Sequence, residues 1–398
     1  MRHRFVPLWA ATMLAVAGTA SAAEIEVMIQ NQYLGTDLTP VLTASTPEQA
    51  NAAIVAALEN VSASLPDDRL ARLADLVKKR SPHALVLNEA FAYSCVNFDV
   101  VNTPADEGCG NQRIRGAFVD FLSTTEANLA GRYTTKARVR NFAIDGLPFM
   151  IDGYLAYLSV QDRDVILVRN DVAPMSQAVP LALGGCRASL EGCNYLAVPD
   201  FPTAFGTVRI ERGYVAVDML VGQQPYRVFG THLEVRQIVP GTSDIALFSR
   251  TLQRMQAAEL YQVARDFPAA PGTRKLIVGD INSAATDGSE MIPTLAGPLP
   301  PPYALFAGAG YTDVWTLRPG ATKGMGAPLV GNSCCQDEDL ANHKSALYER
   351  IDIIFSLDRP KRVLDARLLG ESVADKTAPR GWGVWPSDHA SVAARLQF

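Results

Sequence analysis

A set of polar side chains stands at or just past the ends of apolar runs in this 398-residue chain. Asn31 follows Val27–Gln30, Glu89 follows Leu85–Leu87, and His232 follows Val228-Phe229-Gly230. Asp280 and Asn282 follow Leu276-Ile277-Val278, Asp352 lies within Ile351–Phe355, and Asp388-His389 precedes the last apolar stretch, Ser391–Phe398. Amide and carboxylate oxygens without a CxxC pair or a His cluster suit a hard divalent cation, Mg²⁺ first and Mn²⁺ or Ca²⁺ next. Two histidines beside further carboxylates supply acid–base function and charge stabilisation for a phosphoryl group. The combination favours metal-assisted phosphoester hydrolysis over zinc hydrolysis. Singly, each residue has an ordinary explanation as a solvated loop residue, a turn former or a cap. Only five histidines occur, His3 lies in the leading segment, and two of the other four fall in this pattern.

Strand ends are where a rigid sheet presents groups at one rim, so the elements matter. Glu24–Gln30 alternates polar and apolar residues as a strand does, and Ala84–Leu87 is a short buried-type strand. Thr46-Pro47-Glu48-Gln49 is a capping-box signature for a helix carrying Ile54, Leu58 and Val61. A second helix follows Asp67-Asp68 with Leu70, Leu73, Leu76 and Val77 on one face, and Pro82 ends it. Further strands are expected at Asp164–Arg169, Gly213–Leu220, Tyr226–Gly230, Lys275–Val278 and Arg350–Phe355, and a helix over Ser249–Val263. Strands throughout with helices between them point to layered α and β rather than a bundle. No internal repeat or domain boundary is visible, and Pro298–Pro302 reads as a stiff loop.

The chain is 48% hydrophobic and 19% charged, with a net charge of −5, a globular composition. An acidic total without a basic block excludes a protein that coats nucleic acid by bulk electrostatics, though not an enzyme that meets a polyanion at one site. Arg2 and Arg4, the apolar run Phe5–Gly18 and Ala20-Ser21-Ala22 read as a secretory signal peptide over residues 1–22. The expected product is secreted or periplasmic and soluble, with no transmembrane segment. In that oxidising setting Cys95–Cys109 and Cys186–Cys193 are the natural disulfides, and the state of the adjacent Cys334-Cys335 is open.

The ordered set Asn31-Gln-Tyr-Leu-Gly, Leu87-Asn-Glu89, Gly230-Thr-His232-Leu-Glu234, Gly279-Asp280-Ile-Asn282, Arg350-Ile-Asp352 and Ser387-Asp388-His389 resembles the endonuclease/exonuclease/phosphatase superfamily. The resemblance runs from about Val27 to Leu396. It implies a four-layer α/β-β/α sandwich of two mixed sheets with outer helices (deoxyribonuclease I-like), formed as a single domain over residues 23–398. By analogy Glu89 is the principal metal ligand, helped by Asn31 and Asp388. Asp280 orients or deprotonates the attacking water, Asn282 positions water or phosphate, and His389, held by Asp352, contacts the phosphate. His232 stabilises developing charge or assists the leaving group. A basic phosphate-binding residue is also implied, among Arg113, Arg115, Arg138 and Arg212.

The long stretches between Glu89 and His232 and between Ser283 and Glu349 hold all six cysteines and read as disulfide-pinned insertions. Trp382 and Trp385, just before Asp388, are either a stacking wall or loop packing, and packing is favoured. Phe142–Leu158 is either an exposed apolar hairpin that meets a bilayer or a buried strand. The resemblance implies a monomeric phosphodiesterase acting on nucleic acid. The alternative is a sphingomyelinase- or phospholipase C-like hydrolase of a phospholipid headgroup, and a remote one is a non-catalytic binding module.

Overall fold

The computed structural model describes residues 24–204, 206–237, 243–295, 297–321, 331–378 and 383–398. The expected signal peptide and Trp382 lie outside them. Two sheets carry the chain. A seven-stranded sheet runs in the order Arg362–Leu369, Ser391–Gln397, Glu24–Asn31, Ala84–Asn88, Tyr154–Arg169, Ala92–Asn97, with Tyr133–Ile151 also pairing with Tyr154–Arg169. An eight-stranded sheet is built around Asp352–Ser356, Arg274–Asp280, Gln224–His232 and Gly213–Val221 in that order. Both are mixed: Glu24–Asn31 lies parallel to Ala84–Asn88, and Gln224–His232 parallel to Arg274–Asp280, among antiparallel neighbours.

The period-2 alternation of a strand assigns the layers. Ile25, Val27, Ile29, Ala84, Val86 and Ile166 of the first sheet meet Val215, Val217, Val228, Leu276, Val278 and Ile354 of the second in the central core. The intervening residues face outward. Met28, Leu85, Leu87 and Leu167 pack on Ala74 and Val77 of helix Pro66–Arg80. On the opposite side Ala216, Phe229, Ile277 and Phe355 pack on Ala257, Leu260 and Ala264 of helix Ser243–Asp266. Strands covered on both faces read as continuous apolar runs, which is why Ala84–Leu87 and Leu276–Val278 stand out in sequence. The result is the expected four-layer sandwich.

Helix Pro47–Ala63 begins at Thr46, whose hydroxyl accepts from the Gln49 N–H. The second helix starts at Pro66, so Asp67 and Asp68 sit in its first turn, where carboxylates favour the exposed N–H groups, rather than ahead of it. It closes on Ser81 in the left-handed region, one residue before Pro82. Tyr133–Ile151 and Tyr154–Arg169 form a long hairpin turning at Asp152-Gly153. Its Leu147, Phe149 and Leu158 are buried in one cluster with Ile54 and Leu58 while Ala143, Asp145 and Met150 are exposed, so Phe142–Leu158 buries one face of the hairpin as a strand does. Disulfides join Cys95 to Cys109, Cys186 to Cys193 and Cys334 to Cys335.

One buried cation ties these layers to the rim. Arg69, on helix Pro66–Arg80, has no solvent exposure. Its guanidinium donates to the carbonyls of Ser64 at 2.9 Å, Gln32 at 2.8 Å, Tyr33 at 3.3 Å and Pro386 at 3.2 Å. It thereby joins the loops that follow Asn31 and precede Asp388. Arg69→Met keeps the volume and strands those carbonyls, and a buried acceptor left unpaired costs about 1–3 kcal/mol. The expected loss is at least about 2 kcal/mol in urea unfolding; a change below about 0.5 kcal/mol would refute the tie.

Candidate active site

Strand register alone brings most of the polar set together. Asn31 pairs with Asn88, and Glu89 is the next residue. In the other sheet His232 pairs with Asp280, and Asp280 with Asp352. Asn31, His232 and Asp280 are the last residues of their strands rather than the first beyond them, because ladder hydrogen bonds outlast the apolar runs. Gly279 is demanded locally: a Cβ there would lie 2.0 Å from the Thr231 carbonyl oxygen of the neighbouring strand. The two sheets are stitched at this rim by Asp280 N–H donating to Asn88 Oδ1 at 3.0 Å and Asn31 Nδ2 to Asp280 Oδ2 at 3.3 Å.

Glu89 and Asn282 both adopt left-handed backbone, with φ of 55° and 48°. For a non-glycine residue that costs about 1–2 kcal/mol, a strain typical of functional turns. It aims Glu89 back at the loop after Asn31, where Leu34 N–H donates to its Oε2 at 2.7 Å and Asn31 Nδ2 to its Oε1 at 3.1 Å. Asn282 N–H caps Asp280 Oδ1 at 2.8 Å, and its own amide donates to the Leu233 carbonyl at 2.9 Å. Asp280 Oδ2 is left facing both histidines, 3.6 Å from His232 Nε2 and 3.8 Å from His389 Nε2.

The loop carrying Asp388-His389 is pinned from two sides. Ser387 Oγ donates to the Asn31 carbonyl at 2.7 Å. Across from it, Gln336 N–H donates to the Asp388 carbonyl at 2.8 Å and Ala390 N–H to the Ser333 carbonyl at 2.7 Å, which sets the Cys334–Cys335 disulfide beside His389. His389 Nδ1 donates to Asp352 Oδ2 at 2.7 Å.

The two histidines sit in opposite fields. Burial, then the Arg212 guanidinium and His389, hold His232 well below the ordinary imidazole range. Burial also works against a charge on His389, but Asp352, Asp388 and Asp280 outweigh it and push that imidazole well above its usual value. His232 is therefore neutral, with Nδ1 accepting from Arg212 Nη1 at 3.1 Å, and His389 is an imidazolium. The carboxylates crowd one another: burial and Asp388 raise Glu89 to about 7, and burial and Asp352 raise Asp280 to about 6.

Whether these residues fit a divalent ion is a question of donors. Glu89 and Asp388 bring hard oxygens beside Asp280, and crowded carboxylates with raised pKa values are the field a divalent charge relieves. Asn31 turns its Nδ2, not its oxygen, towards Glu89 and Asp280, while its Oδ1 accepts from Tyr33 N–H at 2.9 Å. To ligate, its amide must rotate. Asp280, Asp352 and His389 also converge, with one potential ligand atom each within 4.8 Å of the others. Asp352 and His389 are already joined by the Nδ1 hydrogen bond, so that trio is better suited to proton handling. Cys334 and Cys335 lie within the same reach of His389 but are joined as a disulfide.

Of the four candidate arginines only Arg212 lines the cleft. Arg113 pairs with Glu59 and Asp152, Arg138 pairs with Glu191, and Arg115 is exposed. Trp385 is fully buried beside Tyr33 and Leu340, its indole N–H on the Asn342 carbonyl at 2.8 Å, so it packs the loop and does not wall the site. Sequence reading missed the layer beneath: Asn88 Nδ2 donates to Asp164 at 2.7 Å, and Asn141 bridges Asp164 and Asp162. Two acids spaced by two before the apolar run Val165–Val168 were the available signal.

No family model matches the chain, and no curated protein sequence matches it. Among solved structures it is similar to an endonuclease/exonuclease/phosphatase from Beutenbergia cavernae, at 16% identity and TM-score 0.47, covering 94% of this chain and 72% of that one. It is similar to another from Bacteroides vulgatus, at 12% identity and TM-score 0.47, covering 94% and 99%. A third is humanized D. rerio TDP2, at 14% identity and TM-score 0.46, covering 94% and 99%. What the site can do is read from its own geometry.

Glu89, raised to about 7, holds a proton in the cation-free folded protein that the unfolded chain gives up near its ordinary 4.5. Its contribution to stability therefore falls as pH climbs from 4.5 to about 7 and is constant above. A cation that needs the ionised form binds better above that window. The Mg²⁺-induced rise in Tm over an EDTA control is expected to be larger at pH 8 than at pH 5.5; an equal or reversed shift would remove Glu89 from the cation site.

Proposed function

We propose that this chain is a secreted or periplasmic, divalent-metal-dependent phosphoesterase that hydrolyses a phosphodiester by attack of water. The observation that carries the reading is the convergence of Glu89, Asp280 and Asp388 with a neutral and a charged histidine at one rim of the cleft. Glu89 and Asp388 hold the cation, joined by Asn31 when its amide turns. The ion supplies charge neutralisation on the phosphoryl oxygens.

The remaining steps belong to side chains of this protein. Asp280, fixed through Oδ1 by Asn282 N–H, uses Oδ2, which also accepts from Asn31 Nδ2 at 3.3 Å, to orient the water and take its proton. The His389 imidazolium, kept charged and aimed by Asp352, hydrogen-bonds a phosphoryl oxygen as negative charge grows there. His232 presents Nε2–H towards the same space because Arg212 occupies Nδ1, so it serves the leaving oxygen as a neutral donor. Arg212, which lines the cleft beside His232, is the guanidinium assigned to the phosphate. Asn282, two residues beyond Asp280 and bonded to it, would position the water or the phosphate.

The apolar half of the same cleft, with Phe91 and Leu147 in its lining, favours a second reading, hydrolysis of a phospholipid headgroup. Among the described residues no helix is long and apolar enough to cross a membrane. A panel with Mg²⁺, Mn²⁺, Ca²⁺ or EDTA against DNA, RNA, bis(p-nitrophenyl) phosphate and sphingomyelin tests the class; silence on all of them would leave a binding module. Glu89→Ala and Asp280→Asn are expected to lower kcat by about 10³-fold or more, and His389→Ala by about 10²–10³-fold with KM little changed. A His389→Ala variant altered in KM alone would place that residue in ground-state binding.

A further inference from the structure

The polar rim occupies only one end of the cavity that contains it. That cavity measures about 540 Å³ and continues from Glu89 and Arg212 into a groove between helix Pro47–Ala63 and the long hairpin. Leu34, Ile54 and Leu58 line one side of the groove, and Phe91, Leu147 and Leu158 the other. The groove begins at the candidate site itself. The N–H of Leu34 holds the Glu89 carboxylate at 2.7 Å, while the Leu34 side chain lines the apolar wall. Phe91 stands two residues beyond Glu89, on the opposite wall.

The polar atoms are distributed unevenly. Among the described residues, the buried side-chain atoms lining the cavity without a hydrogen-bond partner belong to Asp162, Arg212, Glu234 and Arg236, none of them among the apolar residues of the groove. The Tyr93 hydroxyl on the groove wall is already committed to the Leu34 carbonyl at 3.0 Å. Thr36, Asp37 and Thr39 also line the cavity, but against the six apolar side chains named above a nucleobase edge would lose its water without a side-chain partner, a cost of about 1–3 kcal/mol per unpaired group. A hydrocarbon chain loses nothing and gains by burial.

We infer that this groove is a substrate subsite for an unbranched hydrocarbon chain, so that the phosphoester hydrolysed at the rim is an amphiphile whose chain is housed inside the protein. The inference rests on the phosphoesterase reading for its chemistry and on the groove alone for its chain. Leu34 and Phe91 set where the chain leaves the phosphate, and helix Pro47–Ala63 sets how far it reaches.

The test is a series of p-nitrophenyl alkyl phosphodiesters, methyl to dodecyl, kept below their aggregation concentrations, with Mg²⁺-loaded full-length protein. The value of kcat/KM is expected to rise with each methylene, by at most about fourfold per step, and then level once the groove is filled. Turnover of the methyl ester with no chain-length dependence would overturn the subsite while leaving the phosphoesterase reading intact. Ala57→Phe, which projects into the groove, is expected to cut the dodecyl-to-methyl ratio by tenfold or more within that variant. An unchanged ratio counts against the inference.

Calorimetry with dodecylphosphonate and methylphosphonate reads the groove without turnover. Equal binding of the two overturns the subsite even if no ester is cleaved. Binding of the dodecyl compound alone, weakened by Ala57→Phe, upholds it. The dodecyl ester offered free or in phosphatidylcholine vesicles locates the source: faster turnover of either form upholds the subsite and assigns the chain to a soluble amphiphile or to a bilayer.

Discussion

Six carboxyl groups crowd this rim and the layer beneath it, more than can ionise together, and the surrounding architecture answers to that constraint. Glu89, Asp280, Asp352 and Asp388 share it, with Asp162 and Asp164 directly beneath, and burial raises Glu89, Asp280 and Asp164 above ordinary carboxylates. Two unit charges a few ångströms apart in a poorly polarisable interior repel by several kcal/mol. The protein answers with neutral donors from separate strands: Asn88 and Asn141 on the lower acids, Asn31 between Glu89 and Asp280. It adds two cations, Arg212 and the His389 imidazolium, each fixed by the acids it compensates. These groups come from several strands and loops far apart in the chain, so a rigid two-sheet frame is needed to hold them in place.

That frame was the part most open to sequence reading. Leu276-Ile277-Val278 and Ala84–Leu87 are apolar on both faces because sheet covers one face and helix the other, and such runs announce themselves. The polar residues ending them follow from position alone. What stayed hidden was long-range pairing. Arg212 could not be told from Arg113 or Arg138, because its distinction is that His232 and Glu234 lie across a strand pair. The hairpin strand Tyr133–Ile151 was obscured by Lys136, Arg138 and Arg140, whose charges sit on a strand with three register shifts and one wetted side. Trp385 precedes Asp388 and left a stacking wall open beside the favoured loop packing, and its indole does face the loop interior.

The cleft also explains an oddity of helix Pro47–Ala63. An outer-layer helix buries its apolar stripe on a sheet, as Pro66–Arg80 does with Ala74 and Val77. Pro47–Ala63 instead packs Ile54, Leu58 and Val61 in one buried cluster with Leu147, Phe149 and Leu158 of the hairpin, and Ile54, Leu58 and Val61 also line the cleft of about 540 Å³ that includes the rim.

The residue that orders the rim also ties down the end of this helix. Arg69 reaches the Ser64 carbonyl at the end of Pro47–Ala63, the Gln32 and Tyr33 carbonyls behind Asn31, and the Pro386 carbonyl ahead of Asp388. Its guanidinium is planar and its bonds diverge, so the three segments are fixed relative to one another rather than merely near. The groove wall and the acidic loops thus share one anchor. A chain in the groove and a phosphate at the rim would then be held at a set separation, because the span between them is bridged by a buried arginine and not by a flexible linker.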